Sequence, residues 1–339
     1  MITVTTGWIS RALSAVLSGA DIDISNISTD TRNIRQGDLF VALKGHNFDG
    51  HQFVSAAIEK GAVAVIVDHP LDVTIAQILV EDTTRALGAL SRAIKAQMSH
   101  QTIAITGSVG KTTVKEMVAS VLSRRGNVLA TKGNFNNEIG VPLTLLRLTP
   151  EHDYAVIELG ANHPGEIAYS TGLVQPNVTL INNVAAAHLE GFIDLYGVAR
   201  AKGEIFTNSG DDAIAVVNVD SDYSDYWLSR LKNRLVTRFS MNVNKDATVW
   251  VENISLDEYG YATFTLCHLG GSMAIRHSLT NGLTSGDQTT DVKVKTVQAN
   301  SVEVHLAVPG RHNVNNALAA ASVCLSCGVE LADISLGLS

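Results

Sequence analysis

The chain has 339 residues, 45% of them hydrophobic and 17% charged, with a formal net charge of −8. This length and apolar content allow two or three domains with separate cores, while the acidic balance and the lack of a dense Lys/Arg run argue against nucleic acid as the main partner. Met1–Ser10 lacks the basic-then-apolar order of a signal peptide, and no apolar run approaches the ~20 residues of a membrane span, so a cytoplasmic protein without membrane insertion is expected.

Residues 1–99 read as a small α/β domain. Ile9–Leu17 has the spacing of a short amphipathic helix, Gly37–Leu43 reads as a turn feeding a strand, His51–Gly61 as a helix and Ala62–Val67 as an apolar strand. Two polar clusters stand out, Ser28-Thr29-Asp30-Thr31-Arg32 and the segment from Lys44 through Gly45 and Asp49 to His51. Hydroxyls, glycine amides and one planar cation suit a diphosphate. The same residues also make a capped turn with Arg32 paired to Asp30 on the surface, and spacing does not choose between the two.

Thr83–Gln97 reads as a helix and Ser99-His100-Gln101 as a domain boundary. Thr102–Thr113, T-I-A-I-T-G-S-V-G-K-T-T, then passes from a short apolar strand through a glycine loop into a helix. Gly107, Ser108, Val109 and Gly110 let backbone amides approach an anion, and the helix start adds partial positive charge. Lys111 can neutralise outer phosphates, the Thr112 hydroxyl can ligate magnesium, and Thr113 completes the turn. Ile105 stands where the usual eight-residue pattern has Gly or Ala, so the match is a variant; a plain strand-to-helix turn is the bland alternative.

Further on, Val114–Arg124 reads as a helix, and Val128–Thr131, Tyr154–Leu159, Val178–Ile181 and Ala213–Val217 as strands. Alternation with helices implies a largely parallel sheet, whose ligands gather beyond the carboxyl ends of the strands. Glu158 and His188 fall at that edge. Glu158 with Thr112 makes a hard-oxygen set for magnesium, the alternative being a surface glutamate. His188 is either a metal or phosphate contact or a structural histidine. For Lys202 the spacing favours an ordinary solvated lysine. The loop Thr131–Gly140, with Asn134, Asn136 and Asn137, suits a polar substrate or plain turn chemistry, and so does Asn162–Glu166. Ala247–Val308 is β-rich with a hairpin or insert at Asn281–Thr296, and Val314–Cys327 is helical. Cys267, Cys324 and Cys327 are too few for a disulfide framework, and the C-x-x-C of Cys324 and Cys327 lies in an alanine-rich helical pattern that reads as packing.

Taken together, T-G-S-V-G-K-T-T, T-K-G-N-F-N-N-E-I-G-V-P-L-T-L-L, I-E-L-G-A-N-H-P-G-E-I, N-V-A-A-A-H-L-E-G-F, A-K-G-E-I-F and P-G-R-H-N-V-N-N-A-L-A-A-A resemble the Mur ligases of bacterial peptidoglycan synthesis. The central motifs are most similar to those of members that join D-alanyl-D-alanine to UDP-N-acetylmuramoyl-tripeptide. The N-terminal S-T-D-T-R, G-D-L-F-V-A-L-K-G and F-D-G-H-Q-F fit equally the ligase one step earlier, which adds diaminopimelate or lysine. The resemblance implies an ATP- and Mg2+-dependent amide-bond ligase working through an acyl phosphate, in cell-wall synthesis and hence cell shape and division, and a monomer is expected. It implies that Lys111, Thr112 and Thr113 hold the triphosphate, that Glu158 and Thr112 take one magnesium, and that His188 matches a second metal position. Lys202 matches a lysine that can be carbamylated, Asn313 and Asn316 the segment near the base and ribose, and Ser28, Asp30, Arg32, Gly45 and His51 the uridine-diphosphate motifs. Asn134, Asn136 and Asn137 would meet the substrate.

The implied fold is a small N-terminal α/β substrate domain (1–99) followed by a central P-loop domain (100–328). The latter combines a mostly parallel sheet flanked by helices with a β-rich section. Residues 329–339 would begin the connection to a C-terminal Rossmann-like domain, which is expected to be absent. A chain that ends there is expected to bind UDP-muramoyl peptide and ATP but to ligate poorly. Ile193-Asp194 is a smaller departure, because relatives show a Gly-Ser pair there. Readings from other classes are a non-catalytic nucleotide-sugar binding module and a P-loop NTPase switch or kinase.

Overall fold

The computed structural model describes residues 1–45, 48–185, 192–231, 233–243, 246–269, 275–276 and 299–339. The chain divides into two compact units, Met1–His100 with Thr131–Asp153, and Gln101–Ala130 with Tyr154–Ser339.

The first unit opens with β1 (Val4–Thr5), α1 (Thr6–Ala12), β2 (Val16–Ser18), β3 (Asp23–Ile24) and β4 (Ile27–Ser28). It continues through β5 (Leu39–Val41), α2 (Val54–Glu59), β6 (Ala64–Val67), β7 (Ala76–Leu79) and α3 (Thr83–Lys95). The main sheet runs β2-β7-β6-β5-β4 and is parallel except for the antiparallel edge strand β2. Every residue of β5 and β6 is buried, as expected of parallel strands covered on both faces. Asp82 caps α3 by accepting from the Thr84 and Arg85 amides at 2.8 and 2.9 Å. The expected helix over Ile9–Leu17 is shorter than its apolar spacing implied. Ser14, at φ +51°, takes the chain out of helix, and Val16 and Leu17 satisfy their backbones by pairing with Leu79 and Ile78.

The second unit begins with β8 (Gln101–Thr106), α4 (Lys111–Leu122) and β9 (Val128–Ala130). The chain then returns to the first unit, where α5 (Gly140–Leu145) packs on α3 and Leu146 enters the core with Leu87, Leu90 and Ile94. Residues 131–153, expected in the central domain, therefore belong to the first unit. The boundary was hidden because it lies between two segments that are not adjacent in sequence.

Back in the second unit come β10 (Tyr154–Glu158), α6 (Glu166–Val174), β11 (Val178–Ile181), α7 (Leu195–Thr207), β12 (Ile214–Asn218), α8 (Ser224–Leu228) and β13 (Leu235–Ser240). They are followed by β14 (Val249–Leu256), β15 (Ala262–Leu269), β16 (Ile275–Arg276), β17 (Ala299–His305), α9 (His312–Ser326) and α10 (Leu331–Leu338). Among the described residues these strands form one sheet in the order β17-β15-β14-β13-β12-β11-β8-β10-β9, with β16 beside β13. Pairing is parallel from β9 to β14 and antiparallel among β14, β15 and β17. Helix α4 turns Val114, Met117, Val118 and Val121 toward the core, and the small Ala317, Ala320 and Ala321 let α9 pack closely. Cys324 lies in this core, in accord with the packing reading. Asn281–Thr296 lies outside the described residues. Within 329–339, α10 packs on α4 and β17.

Candidate active site

Strand β8 delivers Gly107 to the carboxyl edge of the sheet, and α4 starts at Lys111. Gly110 closes the turn at φ +76°, where a Cβ would sit 2.7 Å from Asn316 Oδ1 and 2.9 Å from Asn182 Nδ2, so both conformation and space demand glycine. The loop is held from behind by asparagines. Asn183 accepts from the Ser108 amide through its carbonyl (3.1 Å) and from the Val109 amide through Oδ1 (2.9 Å), while its Nδ2 donates to the Val109 carbonyl (2.9 Å). The Asn182 Nδ2 donates to the same carbonyl (3.0 Å) and to Asn316 Oδ1 (3.1 Å). Asn316 donates in turn to Asn313 Oδ1 (2.9 Å), and Asn313 to the Pro309 carbonyl (2.8 Å). Asn313 and Asn316, singled out in the sequence, thus form a ladder beneath the loop. Asn182 and Asn183 carried a signal that spacing alone did not reveal: two consecutive amides at the end of a buried strand.

With Ser108 and Val109 engaged, the amides facing outward at the helix start are those of Lys111, Thr112 and Thr113, which have no intrahelical acceptor. The Lys111 ammonium folds over the loop, donating to the Gly107 and Ser108 carbonyls at 2.9 and 3.3 Å. Burial lowers its pKa and the Glu158 carboxylate counters part of that shift. The Thr112 hydroxyl donates to Glu158 Oε2 at 2.9 Å. Glu158 is only 2% exposed, which excludes a surface glutamate. A hydroxyl and a carboxylate are hard oxygen donors, and beside a glycine cradle at a helix N-terminus they fit a magnesium-bound triphosphate.

Lys202, on α7, is 4% exposed, so the solvated lysine favoured by its spacing is overturned. Burial, and then the charge of Lys111, lower its pKa to about 8. His188 lies outside the described residues.

The first unit holds a second candidate site. Ser28, Asp30, Arg32, Arg35, Phe135 and Arg147 line a groove of about 690 Å³. Ser28 Oγ accepts from the Asp30 amide (3.1 Å), and Asp30 holds Arg32 through Nε (3.0 Å) and Nη2 (2.7 Å). That pairing brings the Asp30 carboxyl down to about 2. The capped-turn reading is thus correct locally, yet the turn also forms one wall of the groove. Arg35 and Arg147 were missed because Arg147 reaches the groove only through the return of residues 131–153. Gly45 and His51 do not line it: Gly45 packs on Phe48, and the buried His51 bonds Asp49 and the Asp68 amide. Asn137 acts as turn chemistry, its Oδ1 accepting from the Gly140 amide at 2.8 Å, while Asn134 is exposed and the Asn136 amide donates to the Asn134 carbonyl. At Asn162–Glu166 the polar groups also serve the turn, with Glu166 accepting from the Asn162 amide and Glu204 from those of Gly165 and Ala168.

Two family models match, "Mur ligase middle domain" over residues 105–324 and "Mur ligase family, catalytic domain" over residues 23–120. The chain belongs to the Mur ligase family. It is 46% identical to the Escherichia coli UDP-N-acetylmuramoyl-tripeptide–D-alanyl-D-alanine ligase, covering 100% of this chain and 68% of that protein. The Haemophilus influenzae ligase of the same name is 41% identical, with 100% and 68% covered. A crystal structure of MurF from Acinetobacter baumannii superposes with a TM-score of 0.84 at 37% identity, over 100% of this chain and 68% of that one. A Thermotoga maritima MurF ligase solved in complex with ADP gives a TM-score of 0.72 at 26% identity, over 91% and 65%.

The Ile193-Asp194 pair shapes the chain just ahead of α7. Ile193 sits at φ +71° and is 91% exposed, a left-handed conformation that disfavours a β-branched residue, whereas Asp194 keeps a capping role, accepting from the Gly197 amide at 2.6 Å.

Proposed function

We propose that this Mur ligase chain serves the ATP-dependent joining of D-alanyl-D-alanine to UDP-N-acetylmuramoyl-tripeptide in the cytoplasm, with the first unit taking the UDP-linked peptide and the second the nucleotide. The observation that carries this reading is the Thr112 hydroxyl bonded to the buried Glu158 carboxylate beside a glycine loop that Lys111 folds over, in a chain 46% identical to a ligase of that name.

In this reaction the γ-phosphoryl group passes to the free carboxylate of the UDP-peptide, and the dipeptide amine displaces phosphate from the resulting acyl phosphate. Two anions must meet, so cationic clamping dominates the chemistry. Lys111 and the amides of Lys111, Thr112 and Thr113 hold the outer phosphates, while Asn182 and Asn183 fix the loop that presents them. Thr112 and Glu158 would hold Mg2+, which supplies neutralising charge to the phosphates. In the first unit Asp30 already offsets Arg32, so Arg35 and Arg147 provide the surplus positive charge for the diphosphate. Burial keeps a share of the Lys202 amine neutral near its pKa of about 8, the form that adds carbon dioxide to give a carbamate and release a proton. No helix among the described residues is long and apolar enough to cross a membrane.

The test is phosphate release from ATP in the presence of Mg2+. Release that requires both UDP-N-acetylmuramoyl-tripeptide and D-alanyl-D-alanine supports the proposal. Turnover indifferent to both, as in an NTPase switch, or release driven by diaminopimelate in place of the dipeptide, contradicts it.

A further inference from the structure

Outside both candidate sites, the first unit gathers two imidazoles and two carboxylates around the end of β6. His51 and Asp49 come from the turn before α2, and Asp68 and His69 directly follow the strand. His51 Nδ1 lies 2.6 Å from Asp49 Oδ1, and since a carboxylate only accepts, the ring donates there. In the neutral ring Nε2 presents a lone pair, which accepts from the Asp68 amide at 3.1 Å and also faces Asp68 Oδ1 at 3.1 Å. The latter contact sets acceptor against acceptor. His69 reaches the same oxygen through Nδ1 at 2.5 Å and stacks on His51 with ring centroids 4.6 Å apart.

We propose that His51, Asp68 and His69 form a binding site for a divalent transition-metal ion of the zinc type. One candidate donor atom from each lies within 4.8 Å of the others, and His51 is buried while His69 is exposed. Tetrahedral zinc with bonds of about 2.0–2.1 Å separates its ligand atoms by about 3.3 Å, close to the spacing between His51 Nε2 and Asp68 Oδ1. The Asp68 amide gives up His51 Nε2 to the ion, and the exposed His69 moves outward, its ring proton passing to Nε2 on the solvent side. The ion converts the opposed acceptors into two bonds. Asp49, on the far nitrogen of His51, is the carboxylate that holds a ligating imidazole in one tautomer and orientation. Two imidazoles and one carboxylate favour zinc-like ions over magnesium, in contrast to the all-oxygen pair of Thr112 and Glu158. Bound metal would tie the turn at Asp49–His51 to the end of β6.

The experiment is calorimetric titration of the protein with zinc chloride, paired with thermal unfolding. Native protein is expected to bind zinc with a rise in Tm, and to do so in excess magnesium. His69→Ala, a change at an exposed ring, and Asp68→Asn are each expected to weaken that binding by about tenfold or more. His163→Ala, at an exposed imidazole elsewhere, leaves it unchanged. Native affinity retained in His69→Ala, or no zinc-dependent rise in Tm for the native protein, would overturn the proposal.

Discussion

The Thr112 hydroxyl donates to Glu158 Oε2 across 2.9 Å, fastening the first turn of α4 to the end of β10. This contact joins the glycine loop to a buried carboxylate, so the two should act as one magnesium-holding unit. Glu158→Gln keeps an acceptor for Thr112 but removes the charge. Its Mg-ATP affinity is expected to fall by about tenfold or more, with metal-free ATP bound nearly as before. Equal losses with and without magnesium would show that Glu158 acts only on the fold.

Ile193 at φ +71° carries a local cost, because left-handed backbone disfavours a Cβ by about 1–2 kcal/mol. Ile193→Gly should therefore be more stable than Ile193→Ala, by up to about 1 kcal/mol once the greater freedom of glycine in the unfolded chain is subtracted. At an ordinary backbone position the order is reversed. Thermal unfolding of the two variants decides the sign.

Lys202 makes stability depend on pH. Its pKa is about 8 in the folded chain against 10.5 ordinarily, so between those values the unfolded state binds more protons and stability rises with pH. Below about pH 8 the full burial cost is present, on the order of 3 kcal/mol. Lys95, also lowered to about 8, contributes with the same sign. The Lys202→Met variant isolates one contribution. In urea unfolding its advantage over native protein is expected to be larger near pH 7 than near pH 10, and an advantage independent of pH would contradict the assignment.

Asn183 grips both polar groups of Val109, at 2.9 Å each. Asn183→Asp keeps the acceptor but turns an oxygen toward the Val109 carbonyl, which should cost about 1–3 kcal/mol and weaken ATP binding. Asn137→Ala, at a turn in the first unit, should lower stability without altering ATP affinity. If both variants bind ATP equally, the asparagine support does not shape the nucleotide site.

Much of the second unit was legible because parallel strands such as Ile103–Ile105 and Val178–Ile181 are short apolar runs, and a glycine loop announces the helix that follows. Local signals could not reveal what depends on distant segments. Arg147 meets Arg32 only because residues 131–153 return to the first unit, and Lys202 is buried by packing that its polar neighbours Arg200 and Glu204 disguise. Asn137 and His51 show the converse. Both were read as ligand-facing, and both also serve their own turns, which a polar loop pattern does not reveal.

The most direct test of two separate anion sites is calorimetry with UDP-N-acetylmuramoyl-tripeptide and with Mg-ATP on native protein, Arg147→Ala and Lys111→Ala. Arg147→Ala is expected to weaken only the UDP-peptide and Lys111→Ala only the nucleotide, each by about tenfold or more, as the loss of a charge-assisted phosphate contact implies. If either substitution weakens both ligands equally, or if the two ligands exclude one another on native protein, the account is contradicted.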